Sequence, residues 1–487
     1  MIADILKQQP RLIMTLALSL AIGGILCWFL MPREEDPTFP NRAGMIIVTF
    51  PGADALTLEE QVVKPLEEEL AGVQGIKHVE VTLRADVAIV SLQLQDLIYD
   101  VAPVWDDVED ALEEAQRQFP AGVLPVETDW ELIINRHAVV LAITGSDDRL
   151  KLTDAADEVK EKLLTLPDVS KVALIADAGR QVTVALDEEV ARSSRVTPAS
   201  LVQALQGRTR TIPGGSINAG GQTLIIDPGS SLDDLEAIAS TPVLLPTGTA
   251  VELRELATVQ LSPEEPTSSL MRVGGVTAAG LGIIPRQGID AVAFGRSVRK
   301  ALDEARTDLA QQGLDLAIVT FQPDYVEARL ANLGQSLLIG IGIVALVLVL
   351  AMGLRLGLVV ATVIPLVTFS SLAVYAASGG VLHQISIAAL VLALGLLVDN
   401  AIVVAERIQW RIDHGETNVA ATVASIEELF LPLLSATGTT MASFLPLLLS
   451  VGPSGDFTRA IPTLVMLTLA VSFVFAVLVT PTMAMVL

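Results

Sequence analysis

The sequence predicts an α-helical membrane bundle joined to a large α+β domain outside the bilayer. Three observations carry that expectation: one apolar run near the start, five more crowded into the last third, and about 300 residues between them whose hydrophobic period shifts between that of helices and that of strands. Composition agrees. Of 487 residues 51% are hydrophobic and only 18% charged, a balance that makes lipid part of the chain's solvent. The formal net charge of −25 argues against nucleic-acid binding, in which Lys and Arg grip phosphates. A lone cysteine, Cys27, excludes a disulfide framework, and the scattered His78, His137, His383 and His414 show no metal-ligand spacing.

Leu12 to Met31 runs about 20 residues without a charge, enough to cross a hydrocarbon core of roughly 30 Å. A cleaved signal peptide headed by Lys7 and Arg11 is the rival, but the run is too long for a signal core and no small-residue cleavage site follows. The runs Leu337 to Leu354, Leu356 to Ser378, Ile385 to Ala405, Leu429 to Val451 and Ala460 to Leu487 bring the expected transmembrane helices to six. Lys7, Arg11, Arg355, Arg407 and Arg411 fall on one side and only Arg459 in the opposing short loops, which makes the first side cytoplasmic. The segment from Arg33 to Gly334 is then external, which in a bacterium means the periplasm or the cell exterior.

The external part opens with an extended Glu34 to Pro40 and a strand Met45 to Phe50, followed by the turn Pro51-Gly52-Ala53-Asp54. A helix follows, with Leu56, Val62, Leu66 and Leu70 as its apolar stripe and Glu59, Glu60, Glu67 and Glu68 facing water. Strands Ile76 to Leu83 and Val87 to Leu94, an acidic helix Pro103 to Gln118 and a strand near Val126 complete the order βαββαβ, a ferredoxin-like unit. The pattern restarts with strand His137 to Thr144, helix Leu150 to Leu166 and strand Val172 to Asp177, and resumes with Ala279 to Ile284, Ala291 to Leu309 and Leu316 to Gln322. Between these halves stands an insertion with a helix Pro198 to Gln206, glycine turns at Pro213-Gly214-Gly215 and Ala219-Gly220-Gly221, and a β run ending Leu253-Arg254-Glu255-Leu256. The expected domains are 1–33 with the first span, 34–135 the first ferredoxin-like subdomain, 136–180 with 262–334 the second, 181–261 the insertion, and 335–487 the remaining five spans. A helix from Tyr325 leads directly into the second span.

The sharpest chemical signal is Asp399, the one charged side chain within the six spans, in Gly395-Leu396-Leu397-Val398-Asp399-Asn400-Ala401-Ile402-Val403-Val404. It lies some 14 residues, about 21 Å of helix, from the outer end of its span. An ionisable group there costs at least about 2.5 to 3.5 kcal/mol to insert and commonly belongs to an ion or proton pathway. A neighbouring cation that moves toward or away from it switches its protonation, which is the requirement for a proton relay. The rival is a structural carboxylate bonded to Ser, Thr or Asn of another helix. Gly395, one turn earlier on the same face, lets a helix approach closely; Asn400 carries no proton and reads as an interhelical hydrogen-bonding group. Pro365, Pro432, Pro446 and Pro462 read as tolerated kinks, Thr437, Thr439 and Thr440 as packing or hydrating groups, and Met352, Met441, Met466 and Met483 as core rather than a soft-metal ladder. No nucleophile array, phosphate loop or paired-carboxylate motif points to an enzyme, a cofactor or a metal site, and the substrate-binding residues are not identifiable.

With these residues in place, the chain resembles the resistance-nodulation-division (RND) transporters, in the branch exporting hydrophobic and amphiphilic compounds. The resemblance runs through the whole chain and is carried by Pro51-Gly52-Ala53-Asp54 with the helix Glu59 to Leu70, by the motif from Gly395 to Val404, and by Thr480-Pro481. It implies proton-driven export with no cofactor, a homotrimeric inner-membrane pump embedded in lipid, a periplasmic adaptor protein and an outer-membrane channel as partners, porter roles for both outer subdomains, and a docking role for the insertion. The layout matches the amino-terminal half of such a pump, so the lysine that pairs with the fourth-span carboxylate in the family would come from a second permease half or polypeptide. Asn400 stands where many drug pumps have a second aspartate, the insertion is short, and 4% aromatic content is low for the phenylalanine-lined pocket of drug pumps. Two further roles compete: a non-pumping assembly or translocation accessory, and a heavy-metal exporter.

Overall fold

The computed structural model describes residues 9–130, 137–209, 216–219, 222–225 and 234–486. Helix α1 (Pro10–Leu30) starts on a proline, whose missing N–H costs nothing at a helix start, and buries the small residues Ala17, Ala21 and Gly24. A Cβ at Gly24 would stand 1.7 Å from the carbonyl oxygen of Phe369, so α1 meets another helix backbone to backbone.

The first outer unit runs β1 (Ala43–Thr49), α2 (Ala55–Leu58, a π turn Glu59–Val63, then Lys64–Leu70), β2 (Ile76–Arg84), β3 (Val87–Leu94), α3 (Ala102–Gln116) and β4 (Glu127–Asp129). Its strands pair antiparallel in the order β2-β3-β1-β4. Ile46, Val48, Val90 and Leu92 face Leu58 and Leu66 of α2 and Val108 and Leu112 of α3 across one core. One position of the expected stripe is corrected: Leu56 is 63% exposed and Leu58 takes its place at 0%, because the π turn widens the helix and rotates the apolar face. In the preceding turn Gly52 has φ +85°, a conformation closed to most side chains, and its N–H donates to Asp86 Oδ1 at 2.6 Å. Asp54 caps α2 by accepting from the Thr57 N–H at 2.8 Å, and the Thr57 side chain, with that N–H, holds its carboxyl below the usual range.

The second outer unit is split. Its β5 (Val139–Thr144), α4 (Arg149–Leu164) and β6 (Val169–Ile175) are followed much later by β14 (Val276–Pro285), α8 (Ala291–Gln311) and β15 (Asp315–Phe321). These strands lie in the order β6-β14-β5-β15, the same spatial arrangement as in the first unit, with Phe294, Leu281 and Leu152 at the centre of the core. Between the halves β7 (Gln181–Leu186) pairs antiparallel with β12 (Ala257–Ser262), so the intervening chain leaves and returns on adjacent strands. That chain comprises α5 (Glu188–Ser194), α6 (Pro198–Thr209), the hairpin β8 (Ser216–Ala219) with β9 (Gln222–Ile225), α7 (Leu235–Ala239), and β10 (Pro242–Leu244) paired with β11 (Ala250–Glu252). The β run expected to end at Leu256 stops at Glu252 and continues as a 3₁₀ turn, Leu253–Glu255, that tucks Leu253 into the insertion's core. The glycine turns Pro213-Gly214-Gly215 and Gly220-Gly221 lie outside the described residues. β13 (Met271–Val273) precedes β14 as a hairpin.

Strand β15 runs straight into α9 (Gln322–Met352), followed by α10 (Leu354–Ala377), α11 (Gln384–Asp413), α12 (Asn418–Leu448), a short α13 (Pro453–Thr458) and α14 (Ala460–Val486). Among the described residues six helical stretches are long and apolar enough to cross a membrane: α1, α9, α10, α11, α12 and α13 continued by α14. The helices extend past the apolar runs, most of all α12, which begins well before Leu429. Helix α11 sits centrally, packed on α9, α10, α12 and α14 through Leu390, Ala393 and Leu397 against Val367 and Leu464.

One contact ties the last inter-helix loop to the first outer unit. Arg42, at the entrance to β1, donates from Nη1 to Asp456 Oδ2 of α13 at 2.6 Å and from Nε to the Ile98 carbonyl at 2.7 Å. Both side chains are buried, at 2% and 7% exposure, whereas every other ion pair among the described residues has an exposed or half-exposed member. Removing one partner strands a charge away from water, so Arg42→Met or Asp456→Leu alone is expected to cost about 3–5 kcal/mol, and the two together far less. Thermal unfolding of the detergent-solubilised single and double variants measures the difference.

Candidate functional site

Helix α11 carries the candidate site at its middle. The helix is 30 residues long and opens on a capping box: the Ser386 N–H donates to His383 Nδ1 at 3.2 Å, and the His383 N–H donates to Ser386 Oγ at 2.9 Å. Burial pushes the His383 imidazole down to about 4, against a smaller opposing pull from Asp36. At the far end Arg407 makes a bidentate pair with Glu428 of α12, and Arg411 bridges Glu428 and Glu416 at 2.7 and 2.8 Å. The two ends are therefore anchored and the centre is held by packing.

Around that centre the faces differ sharply. Leu397, Val398, Asn400, Ala401 and Val404 are buried, while Ala388, Leu392, Gly395, Asp399 and Val403 form an exposed stripe at helical spacing. Asp399 thus points away from the interior of this bundle. Among the described residues it has no hydrogen-bond or ion-pair partner, and a Cβ at Gly395 would meet nothing within 4 Å. Gly395 and Asp399 share one open face, bounded by apolar side chains and covered by no helix of the described chain. Asn400 turns the other way: its Nδ2 donates to Thr437 Oγ1 of α12 at 3.1 Å, and Ser472 of α14 donates to the Leu397 carbonyl at 2.5 Å. These bonds fix the back of the helix whose front carries the carboxylate.

The other candidates disperse. Thr439 and Thr440 return their hydroxyls to the Ser435 and Ala436 carbonyls of their own helix. Pro365, Pro432 and Pro446 sit inside α10 and α12, and Pro462 in the first turn of α14. Met352, Met441 and Met483 pack against the apolar bundle core, and among the described residues no group of three or more His, Cys, Asp and Glu gathers as a metal site.

Sequence reasoning missed a second cluster, at the outer end of α11. The chain leaving α1 is stitched to the loop before α11 by Glu34 N–H to Leu382 carbonyl and Leu382 N–H to Pro32 carbonyl bonds at 3.1 and 3.0 Å. Gln384 bonds Asp36, Gln322 bonds Glu35, and Arg329 of α9 reaches both Glu35 and Gln384, at 3.3 and 3.1 Å. Burial raises the Glu34 carboxyl, partly offset by the Thr38 hydroxyl it accepts from. The run Glu34-Glu35-Asp36 was the only available signal, and its partners lie some 290 to 350 positions away.

Two sheets of one strand order thus stand beside a bundle of long apolar helices that carries a lone mid-helix carboxylate on an open face. The model of the AcrB/AcrD/AcrF family matches residues 2–487, and the chain belongs to that family, which makes it an inner-membrane protein. It is similar to multidrug resistance protein MdtC of Yersinia pseudotuberculosis serotype O:1b (strain IP 31758), 26% identical over 484 residues, covering 98% of this chain and 47% of the relative. MdtC of Yersinia enterocolitica serotype O:8 / biotype 1B (strain NCTC 13174 / 8081) is 25% identical over 482 residues with the same coverage, and MdtC of Yersinia pestis bv. Antiqua (strain Angola) is 26% identical over 484. The chain spans about half the length of these curated relatives.

The cap of α11 gives a pH signature. Because the folded imidazole titrates near 4 against an ordinary 6.5, the unfolded chain binds the proton first as pH falls. The contribution is complete above pH 6.5 and declines by roughly 2 to 3 kcal/mol toward pH 4. Glu34, with its raised carboxyl, works in the opposite direction. Replacing His383→Gln is expected to flatten the acid-side loss of thermal stability measured across that window.

Proposed function

We propose that this chain forms the first half of a proton-coupled exporter of hydrophobic or amphiphilic small molecules across the bacterial envelope, acting without enzyme chemistry or a cofactor. The observation that carries the proposal is the open stripe on α11: a carboxylate at mid-helix beside a glycine, with no helix of the described chain over it. A charge left facing hydrocarbon costs several kcal/mol. A second bundle, from the second permease half or a separate polypeptide, lays a cation-bearing helix on Gly395 and encloses Asp399.

In the ionised state Asp399 attracts that cation; once protonated it is neutral and releases it. Two helix arrangements alternate in this way as a proton enters from one side and leaves to the other. One proton moving down 100 mV contributes about 2.3 kcal/mol, enough to bias such an equilibrium by roughly fifty-fold. The six apolar helices support a six-span half, and the basic loop bias supports a periplasmic outer domain. The shared strand order of the two outer sheets supports ferredoxin-like porter subdomains, and β7 paired with β12 supports a docking insertion. Family membership supports a homotrimer working with a periplasmic adaptor and an outer-membrane channel.

In a complete transporter, Asp399→Asn at unchanged expression is expected to reduce efflux of a fluorescent amphiphile to background while leaving the protein folded. Efflux equal to the parent's overturns the relay.

A further inference from the structure

At the end of the bundle away from the outer units, α9, α10, α11, α12 and α14 enclose a cavity of about 700 Å³, within the range of small-molecule sites. Its back is apolar, formed by the buried Val359 of α10 and Ile408 of α11. Leu354, 67% exposed, carries that surface out to the mouth, and Leu358, one turn further along the same face of α10, continues it at 50%. All the helices concerned are long and apolar enough to cross a membrane, so this outward stripe meets acyl chains. The depth is marked by the half-exposed Trp410, next in sequence to the lining residue Gln409, with the Arg407 guanidinium 4.6 Å from its ring. Tryptophan beside arginine is the pairing of a membrane–water boundary.

The charge of the lining runs against that of the chain. Acidic residues outnumber basic ones 56 to 31, yet among the described residues the cavity is lined by one cation, Arg355, and by no acid. Arg355 stands two residues after Gly353, which at φ +81° is the single residue between α9 and α10. Its guanidinium makes no hydrogen bond or ion pair among the described residues. The other arginines at this end of α11 are committed, Arg407 to Glu428 and Arg411 to Glu416 and Glu428. Gln409 is held by Asp413 Oδ1 at 2.8 Å. One free cation thus stands at the rim of an apolar groove that opens toward lipid.

We propose that this cavity seats one anionic phospholipid, its phosphate on Arg355 and its acyl chains along Leu354 and Leu358. A guanidinium meets phosphate through two parallel hydrogen bonds, and the apolar back takes the glycerol and upper chain that follow a phosphate in a lipid. The absence of an acid in the lining sets the preference. A zwitterionic lipid brings the same phosphate with an ammonium group that finds no partner here, whereas an anionic headgroup leaves no cation unpaired. A free phosphate ion satisfies Arg355 and leaves the apolar wall in water. Basic side chains at a membrane surface draw anionic lipid in the same sense. The site does not rest on the exporter proposal, because it requires only that the bundle lie in a membrane.

The test offers the purified full chain, in an uncharged detergent, equal amounts of phosphatidylglycerol and phosphatidylcholine with identical acyl chains, and counts the lipids retained by native mass spectrometry. One phosphatidylglycerol per chain is expected to be held about five-fold more tightly than phosphatidylcholine, the ratio that one arginine at a membrane surface supplies. Arg355→Gln should erase the preference and Arg355→Lys keep most of it; the position is exposed, so neither change disturbs the packing. Leu354→Ser should weaken both lipids and leave their ratio unchanged. Arg11→Gln, an exposed arginine at the same end of the bundle outside the cavity, should change nothing. Excess inorganic phosphate should leave the lipid in place. Equal retention of the two lipids by the parent, an equal loss of preference in Arg11→Gln and Arg355→Gln, or displacement by phosphate overturns the site. Asp399→Asn should keep the lipid preference whether or not export survives, so failure of the relay and failure of this site are read apart.

Discussion

Everything in the bundle is arranged around the cost of leaving a carboxylate without water. Asp399 sits at the centre of a helix whose back is fully packed and whose ends are pinned, by the His383 cap on one side and the Arg407 and Arg411 pairs with Glu428 on the other. With the helix held so firmly, the carboxylate cannot turn inward to find a partner. No helix of the described residues covers its face, and the small Gly395 beside it leaves open space there. The same helix that is packed at its back thus leaves Asp399 and Gly395 on an open front.

The outer domain is bound to this helix by three routes of different stiffness. Helix α9 runs without a break from β15 through a stretch long and apolar enough to cross a membrane. The entry segment from Arg33 to Asp36 is stitched to the loop that caps α11 and, through Glu35 and Gln322, to the start of α9. Arg42 and Asp456 add a third link between the final loop and β1. Buried ion pairs contribute little net stability, but they enforce one geometry because any other leaves a charge unpaired. A link of this kind carries position better than it carries stability.

Much of this was legible in the residues. The apolar runs located the six long helices because water and hydrocarbon sort side chains without regard to distant contacts. The βαββαβ order followed from the change between period two and period 3.6. The misjudged Leu56 and the 3₁₀ turn at Leu253 arose where the chain departs from ideal geometry, a π turn in one case and a tight local bend in the other, and simple periodicity is blind to both. Asp399 stood out because an acid amid apolar residues is conspicuous in any fold, and Gly395 and Asn400 followed from their helical spacing to it.

What the sequence determined by itself was which residues meet lipid, which meet water, and which one carries a charge where charge is costly. Only the tertiary structure decided directions: that Asp399 and Gly395 look outward while Asn400 looks in to Thr437, and that Arg42 finds Asp456 across 414 positions. The physical reason is that polarity is a property of a residue, whereas facing and pairing depend on how helices rotate and strands register against one another, and those are settled by the packing of the whole chain.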